Sequence, residues 1–434
     1  MNEPSPDSSS ANPRAAFQYP NFRFYALARF LVTISSEMQS VAVGWQVYEL
    51  THRPLDLGFV GLAQFLPGIC LFLLAGHTAD RVPRLRILRT CYASFSICSL
   101  LLLGLTLHGL HSALPIYAVL LLNGTVRAFN APASQAFVPL LVAERDFPNA
   151  VAWSASIFQT ATIVGPMIGG LLYGITGNPV PVYCCAAAAY SIGLLSVARV
   201  KLSQPIRAHG GAAPNLVLDG MKFIWRNQFI LGAMSLDLFA VLLGGAVALL
   251  PVYAREILKI GAIGLGILRS APGVGAVLMS ITVAHWPLRR RAGAIMLWCV
   301  FGFGIATVVF GLSHNFWLSL FMLFLTGATD TVSVIVRSTM TQLATPDHMR
   351  GRVSAVNMVF IGASNEVGQF ESGLTAQWFG TVAAVVLGGI GTMAIVGLWA
   401  LLFPGLRKLD TLQPAIIDPP LAEATTAHGG PDNE

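Results

Sequence analysis

From residue 23 to residue 404 the chain alternates long apolar stretches with short polar ones, and stretches such as 180–197, 295–314 and 381–404 contain no Asp, Glu, Lys or Arg. A run of about 20 apolar residues rises about 1.5 Å per residue as a helix and so spans the roughly 30 Å of a bilayer core. Membrane β-barrels satisfy their backbone differently, with alternating strands of about ten residues, and these runs are too long and too uniformly apolar for that. The pattern predicts twelve helices over 23–48, 56–79, 87–108, 114–140, 150–174, 180–200, 229–253, 262–284, 291–313, 316–342, 352–378 and 382–404. The expected fold class is therefore all-α and integral to the membrane.

Composition agrees, with 11% charged and 55% hydrophobic residues where a soluble chain carries about 25% charged. The charges are unevenly placed. With an even number of spans and the termini in the cytoplasm, inside segments hold Arg14, Arg23, a cluster at 81–89, Arg145, Arg199, Lys201, Arg207, Lys222, Arg226, Arg289 to Arg291, Arg350, Arg352, Arg407 and Lys408. The other side holds Arg53, Arg255 and Lys259. The positive-inside rule then sets both termini in the cytoplasm. It also accounts for the formal charge of +6 without nucleic acid as a partner. Residues 1–20, rich in Ser, Pro and Ala, read as a disordered tail, leaving the first span as the targeting signal.

The longest internal polar segment contains Gln204-Pro205, Gly210-Gly211 and Pro214 and divides the chain. The expected organisation is a tail over 1–22, a six-helix bundle over 23–200, a linker over 201–228, a second six-helix bundle over 229–404 and a tail over 405–434. Within the linker, Val217 through Trp225 has apolar residues near helical spacing beside Lys222 and Arg226, the pattern of an interfacial helix. The bundles look like copies. A shift of 205 places Pro67-Gly68 on Pro272-Gly273 and Val47-Tyr48 on Val252-Tyr253, and a shift of 203 places Gly124 on Gly327 and Gly165 on Gly368. Parallel repeats with a midplane site between them are a transporter design.

Two motifs narrow the class. Between spans 2 and 3, GHTADRVPR supplies Gly76, Asp80, Arg81 and Arg84, and topology alone does not explain the aspartate. This G-x-x-x-D-R-x-x-R resembles the loop signature of the major facilitator superfamily, which implies that the glycine permits close helix approach and that the aspartate helps latch the cytoplasmic side shut. Leu85 stands where the family usually has a second basic residue, and the second-half copy from His285, HWPLRRR, has no aspartate, so the expected latch is one-sided. Span 5 carries GPMIGG, with Gly165, Pro166, Gly169 and Gly170, similar to the antiporter motif of that superfamily, although small residues four apart are also ordinary membrane packing. The stretches 44–68, 127–142, 146–153 and 345–353 together resemble the bacterial branch that includes the enterobactin exporter and related drug or metabolite efflux proteins. The resemblance implies an exporter that works as a monomer.

Away from their ends, the predicted spans hold nine charged residues: Arg29, Glu37, Arg127, Asp237, Arg269, Asp330, Arg337, Glu366 and Glu371. At about 2.5 to 3.5 kcal/mol each, leaving all of them in lipid would cost on the order of 25 kcal/mol, so they face protein or water. Glu37, Arg127, Asp330 and Glu366 lie near the midplane, and Glu37 with Arg127, and Asp330 or Glu366 with Arg337, are the expected pairs. Arg29 and Asp237 read as structural, and Arg269 and Glu371 as an outer gate or pair. A carboxylate that alternates between wet and dry surroundings takes up and releases a proton, and Glu37 is the foremost candidate for that role. A permanent ion pair is the competing explanation.

No G-x-x-x-x-G-K-[ST] occurs, the histidines lack metal-ligand spacing and no nucleophile constellation stands out, so neither enzyme activity, cofactor nor metal is expected. The six cysteines lie in apolar runs without C-x-x-C and read as core packing. The expected function is export of a small organic molecule in exchange for protons, by rocking two halves about a central site. An uptake symporter on the same fold, or a membrane sensor that no longer transports, are the alternatives.

Overall fold

The computed structural model describes residues 12–201, 214–286 and 291–407. Arg207, Arg289, Arg290 and Lys408 lie outside the described residues, as do half of the first tail, nearly all of the last and part of the linker.

Each predicted span is helical, and local chemistry explains most boundaries. The first half comprises α1 (Pro20–Thr51), α2 (Pro54–Cys70), α3 (Phe72–Arg81), α4 (Arg84–Leu107), α5 (Leu114–Phe137), α6 (Phe147–Thr176) and α7 (Val180–Ala198). Prolines at the first turn of α1, α2, α5, α6 and α7 need no intrahelical partner for a missing N–H. Left-handed residues at His52 and Gly177 end α1 and α6. Where a single span 2 was expected, α2 and α3 meet at a break on Leu71, just after Pro67-Gly68.

α8 (Pro214–Arg226) precedes the second half, in which α9 (Gln228–Leu243) is capped by Asn227, whose side chain accepts from the N–H groups of Phe229 and Ile230. The expected span 7 breaks at Gly244-Gly245 and continues as a 3-10 turn over Ala246–Leu249, α10 (Leu250–Val252) and a π-turn over Tyr253–Ile257. Then follow α11 (Gly261–His285), α12 (Ala292–Leu312), α13 (Phe316–Ala344), α14 (Asp347–Phe379), α15 (Thr381–Leu402) and α16 (Pro404–Arg407). Counting each broken span once gives twelve membrane-length rods among the described residues. Eight helices are long and apolar enough to cross a bilayer by themselves; α1, α5 and α14 are not among these, and α2 is a shorter apolar helix. Leu107, Leu114, Trp298 and Leu401 are exposed on the outside, where lipid covers them, with Trp225, Trp286, Trp317 and Trp378 near helix ends as in an aromatic belt.

The repeat is physical. Gly124 of α5 lies against the Gln64 carbonyl of α2, and Gly327 of α13 against the Pro272 carbonyl of α11. Likewise Gly165 of α6 lies on α1 at Ile34 and Glu37, and Gly368 of α14 on α9 at Val241 and Leu242. Two pseudo-symmetric six-helix bundles result, joined along α6 with α11 and α2 with α14.

The two ends of that junction differ. One end of the molecule carries Arg81, Arg84, Arg145, Arg199 and Arg350, and is called here the arginine-rich end; the other is the far end. At the far end one buried cluster draws on both halves, including Val41, Trp45, Tyr253, Leu265 and Leu268. Toward the arginine-rich end the clusters belong to single halves, one around Tyr25, Tyr92 and Phe137, another around Met296, Val336 and Trp399. The halves are thus sealed at the far end and splayed at the other.

Two expectations change. The start of the chain is ordered from Asn12: Ala16 is buried, its N–H bonds Asn149 Oδ1, Trp153 Nε1 donates to the Pro13 carbonyl, and Phe17 meets Trp153 edge-on. This segment therefore straps onto the start of α6, and polar composition did not reveal it because backbone carbonyls make the contacts. Of the cysteines, Cys91 and Cys98 are buried but Cys70, Cys184 and Cys185 are exposed, so lipid-facing surface rather than core packing accounts for those three. Within the linker, α8 lies on α14, with Gly220 against Arg352 and an Asp219–Arg352 ion pair of 3.2 Å.

Candidate functional site

The site starts with small residues that let helices touch. A Cβ on Gly165 would stand 2.6 Å from the Glu37 Cβ, and one on Gly169 would stand 2.7 Å from the Met38 carbonyl, so these glycines seat α6 directly on α1. One residue on, Gly170 faces the other half, where its Cβ would be 2.5 Å from the Ala262 carbonyl and 2.8 Å from Gly266 Cα. Gly266 in turn faces the Pro166 carbonyl at 2.5 Å. GPMIGG is therefore a two-sided seam, holding Glu37 on one face and closing the far end on the other.

Around mid-depth, polar side chains from both halves converge. Arg127 of α5 donates to Gln64 Oε1 at 3.0 Å, and Gln369 Nε2 of α14 donates to Glu366 Oε2 at 3.0 Å. Gln369 lies across the junction from Gly61, whose Cβ would stand 3.1 Å from Gln369 Oε1. Arg269 of α11 donates to Ser40 Oγ of α1 at 2.7 Å. Neither Glu37 nor Glu366 has an ion-pair partner within 4.0 Å among the described residues.

The expected charge pairs are not formed. Glu37 faces Gly165 of α6, whereas Arg127 reaches α2, so the pair fails for want of a shared direction. Arg337 pairs with neither Asp330 nor Glu366; it bonds Asp237 of α9 in an ion pair in which both side chains are less than a tenth exposed. Arg269 and Glu371 also part, since the Glu371 carboxylate accepts from Thr375 at 2.6 Å. Asp330 instead lines a cavity of about 230 Å³ inside the second half. Arg29 bonds Tyr25 Oη at 3.3 Å and sits 6.0 Å from the Phe158 ring centre, a structural placement.

The loop motif is placed at the splayed end, where Gly76 faces open space and Arg81 is exposed at the end of α3. The side chain of Asp80 lies outside the described residues. Arg84 donates to the Ala136 carbonyl at 2.9 Å and Arg89 to the Ala198 carbonyl at 2.8 Å, so both cations cap helix C-terminal ends, where the macrodipole favours them. Arg84→Gln is expected to lower stability by about 1 kcal/mol in denaturant titration, with Arg84→Lys recovering part of it.

Charge reasoning along the sequence missed a far-end cluster. Tyr48 donates to Glu256, Tyr173 donates to Glu49 Oε2 at 2.8 Å, and Arg255 lies 3.8 Å from Glu49 and 5.9 Å from the Trp45 ring centre. These contacts tie α1 and α6 to the π-turn of the other half. Glu49 and Glu256 stand just past predicted span ends, where charges read as loop. The internal repeat carried the missing signal, because a shift of 205 sets Val47-Tyr48 on Val252-Tyr253 and so brings the residues that follow each pair to matching ends of the two bundles.

Known proteins share this architecture. The nucleoside transporter NupG superposes with a TM-score of 0.68 at 13% identity, covering 88% of this chain and 99% of that one. A bacterial homologue of the human lysosomal transporter Spinster, inward-facing and occupied, superposes with a TM-score of 0.70 at 12% identity, covering 92% and 99%. At such identities the likeness concerns the fold. In sequence, the enterobactin exporter EntS of Shigella boydii serotype 18 and that of Escherichia coli O81 are each 27% identical over 404 residues, 92% of this chain and 95% of theirs. A family profile described as transmembrane secretion effector matches residues 11–431. Twin helix bundles, a seam of glycines between them and that match over nearly the whole length lead to one conclusion: the chain belongs to the transmembrane secretion effector family of major facilitator superfamily transporters.

Proposed function

We propose that this transporter exports a small organic molecule across the bacterial inner membrane in exchange for protons, working as a monomer by alternating access. The arginine bias supports assigning the splayed end to the cytoplasm, which makes the described arrangement inward-facing. The observation that carries the reading is the pair of carboxylates Glu37 and Glu366, unpaired at mid-depth beneath a sealed far end. A permanent structural charge would have a partner; one that must shed and regain a proton is better left without. Export is favoured over uptake by the exporter relatives and by the GPMIGG seam.

In the proposed cycle, cargo enters from the cytoplasm and meets Arg127, Arg269, Glu37 and Glu366. The far-end contacts, Tyr48–Glu256 and Glu49–Arg255, then break while Gly76, Asp80, Arg81 and Arg84 close the opposite side. Protons arriving from outside neutralise Glu37 or Glu366 and displace the cargo. At ~150 mV one proton supplies about 3.4 kcal/mol, enough for a few-hundredfold gradient.

In proteoliposomes with an internal pH dye and a panel of siderophores and amphiphilic drugs, cargo-triggered proton flux is expected in the wild type. Glu37→Gln or Glu366→Gln should abolish that flux while counterflow of labelled cargo persists. Equal flux in both variants and the wild type would remove these carboxylates from the coupling.

A further inference from the structure

The cavity of about 230 Å³ that Asp330 lines is walled by residues of the second half alone, between the break after α9 and helices α11, α12, α13 and α14. Gln369 joins it to the polar layer between the halves, and its other lining residues lie outside that layer. Its floor includes Gly244 and Gly245, where the helical rod is interrupted.

The polar lining has one sense. The Thr307 hydroxyl donates to the Phe303 carbonyl at 2.9 Å and the Thr326 hydroxyl to the Leu323 carbonyl at 2.6 Å, leaving oxygen lone pairs for the cavity. Asn365 Nδ2 is held by the Ile361 carbonyl at 2.8 Å, which leaves its amide oxygen uncommitted. Asp330 has no hydrogen bond or ion pair among the described residues. The cation that could neutralise it, Arg337, lies two turns along α13 and is committed to Asp237. Acceptors thus surround a carboxylate with no cation in ion-pair distance among the described residues, and the wall is completed by the rings of Phe303 and Phe310.

We propose that this cavity binds a small organic monocation, a primary ammonium group on an apolar body about the size of one aromatic ring. The N–H donors would meet Asp330, Thr307, Thr326 and the Asn365 amide oxygen, and the body would lie on the phenylalanines, whose faces attract cations. Asp330, Thr307 and Thr326 take no part in the central layer, so substitutions at Asp330 test this site apart from proton-coupled export. A hydrated Na⁺ shares the charge but leaves the aromatic wall without a use.

Benzylammonium, added to the full-length protein in nanodiscs and followed by calorimetry, tests this. Saturable binding is expected in the wild type, at least tenfold weaker in Asp330→Asn and in the cavity-filling Val247→Phe, and largely retained in Asp330→Glu. Benzyl alcohol, the uncharged analogue, should bind at least tenfold more weakly. Melting without ligand verifies that the variants fold. Equal binding of benzylammonium to the wild type and Asp330→Asn would overturn the proposal. So would a thermal shift produced by NaCl but not KCl, with no amine binding, which would make the cavity an ion site.

Discussion

Arg337→Leu is expected to lower the stability of the protein by about 3 to 5 kcal/mol, among the largest effects of any single substitution outside the seams. The reason is the partner it leaves behind. Asp237 is 7% exposed and has no second cation within 4.0 Å among the described residues, so removing the guanidinium strands a carboxylate between α9 and α13. The double variant Asp237→Leu/Arg337→Leu should recover most of the loss, because replacing a buried pair by apolar groups of similar volume is often neutral or better. Equilibrium unfolding in mixed micelles, with both single variants and the double variant in one cycle, reads the coupling directly. A double variant as unstable as Arg337→Leu would mean that the pair is not what joins these helices.

The second large effect is on transport. Gly170→Leu places a side chain where the Ala262 carbonyl and Gly266 Cα stand 2.5 and 2.8 Å from an added Cβ, and both obstacles are backbone that cannot swing away. That penalty applies only when the far end is closed. If overpacking costs 1 to 3 kcal/mol in that state alone, the balance between the two states moves by roughly 5- to 150-fold toward an open far end. Transport is expected to fall by a similar factor while the folded protein remains. With the native cysteines replaced by alanine, labelling of Ser40→Cys by a membrane-impermeant maleimide from the far side should rise in Gly170→Leu; unchanged labelling would mean that this seam does not control access.

Much of the fold is written in the sequence, because lipid demands it. A helix must bury about 20 residues of backbone in hydrocarbon, so the spans show in hydropathy, and the repeat shows in glycines such as Gly124 and Gly327 that only a close helix contact requires. The breaks at Leu71 and at Gly244-Gly245 were hidden because they interrupt helical geometry without interrupting apolarity. Depth was legible for the charges, direction was not. Glu37 and Arg127 lie at similar levels, yet one faces α6 and the other α2, and nothing in their spacing distinguishes those faces. The far-end group of Tyr48, Glu49, Tyr173, Arg255 and Glu256 was hidden because charges just beyond a span serve topology in most membrane helices. The strap at Pro13 to Phe17 depends on contacts with Asn149 and Trp153, some 135 residues away, which no local pattern encodes.

The central claim is that the two ends open in turn. Spin labels on His52 and Phe379 report the far end, and labels on His77 and Ser354 report the arginine-rich end; all four positions are exposed. Pulsed dipolar distances on both pairs, measured in nanodiscs at neutral and at acidic pH, test it most directly. The account predicts that acidification lengthens the far-end distance and shortens the other, with populations of the two pairs changing in step. A far-end distance that stays fixed while the arginine-rich end moves, or two distances that lengthen together, would contradict alternating access and the proton-driven cycle built on it.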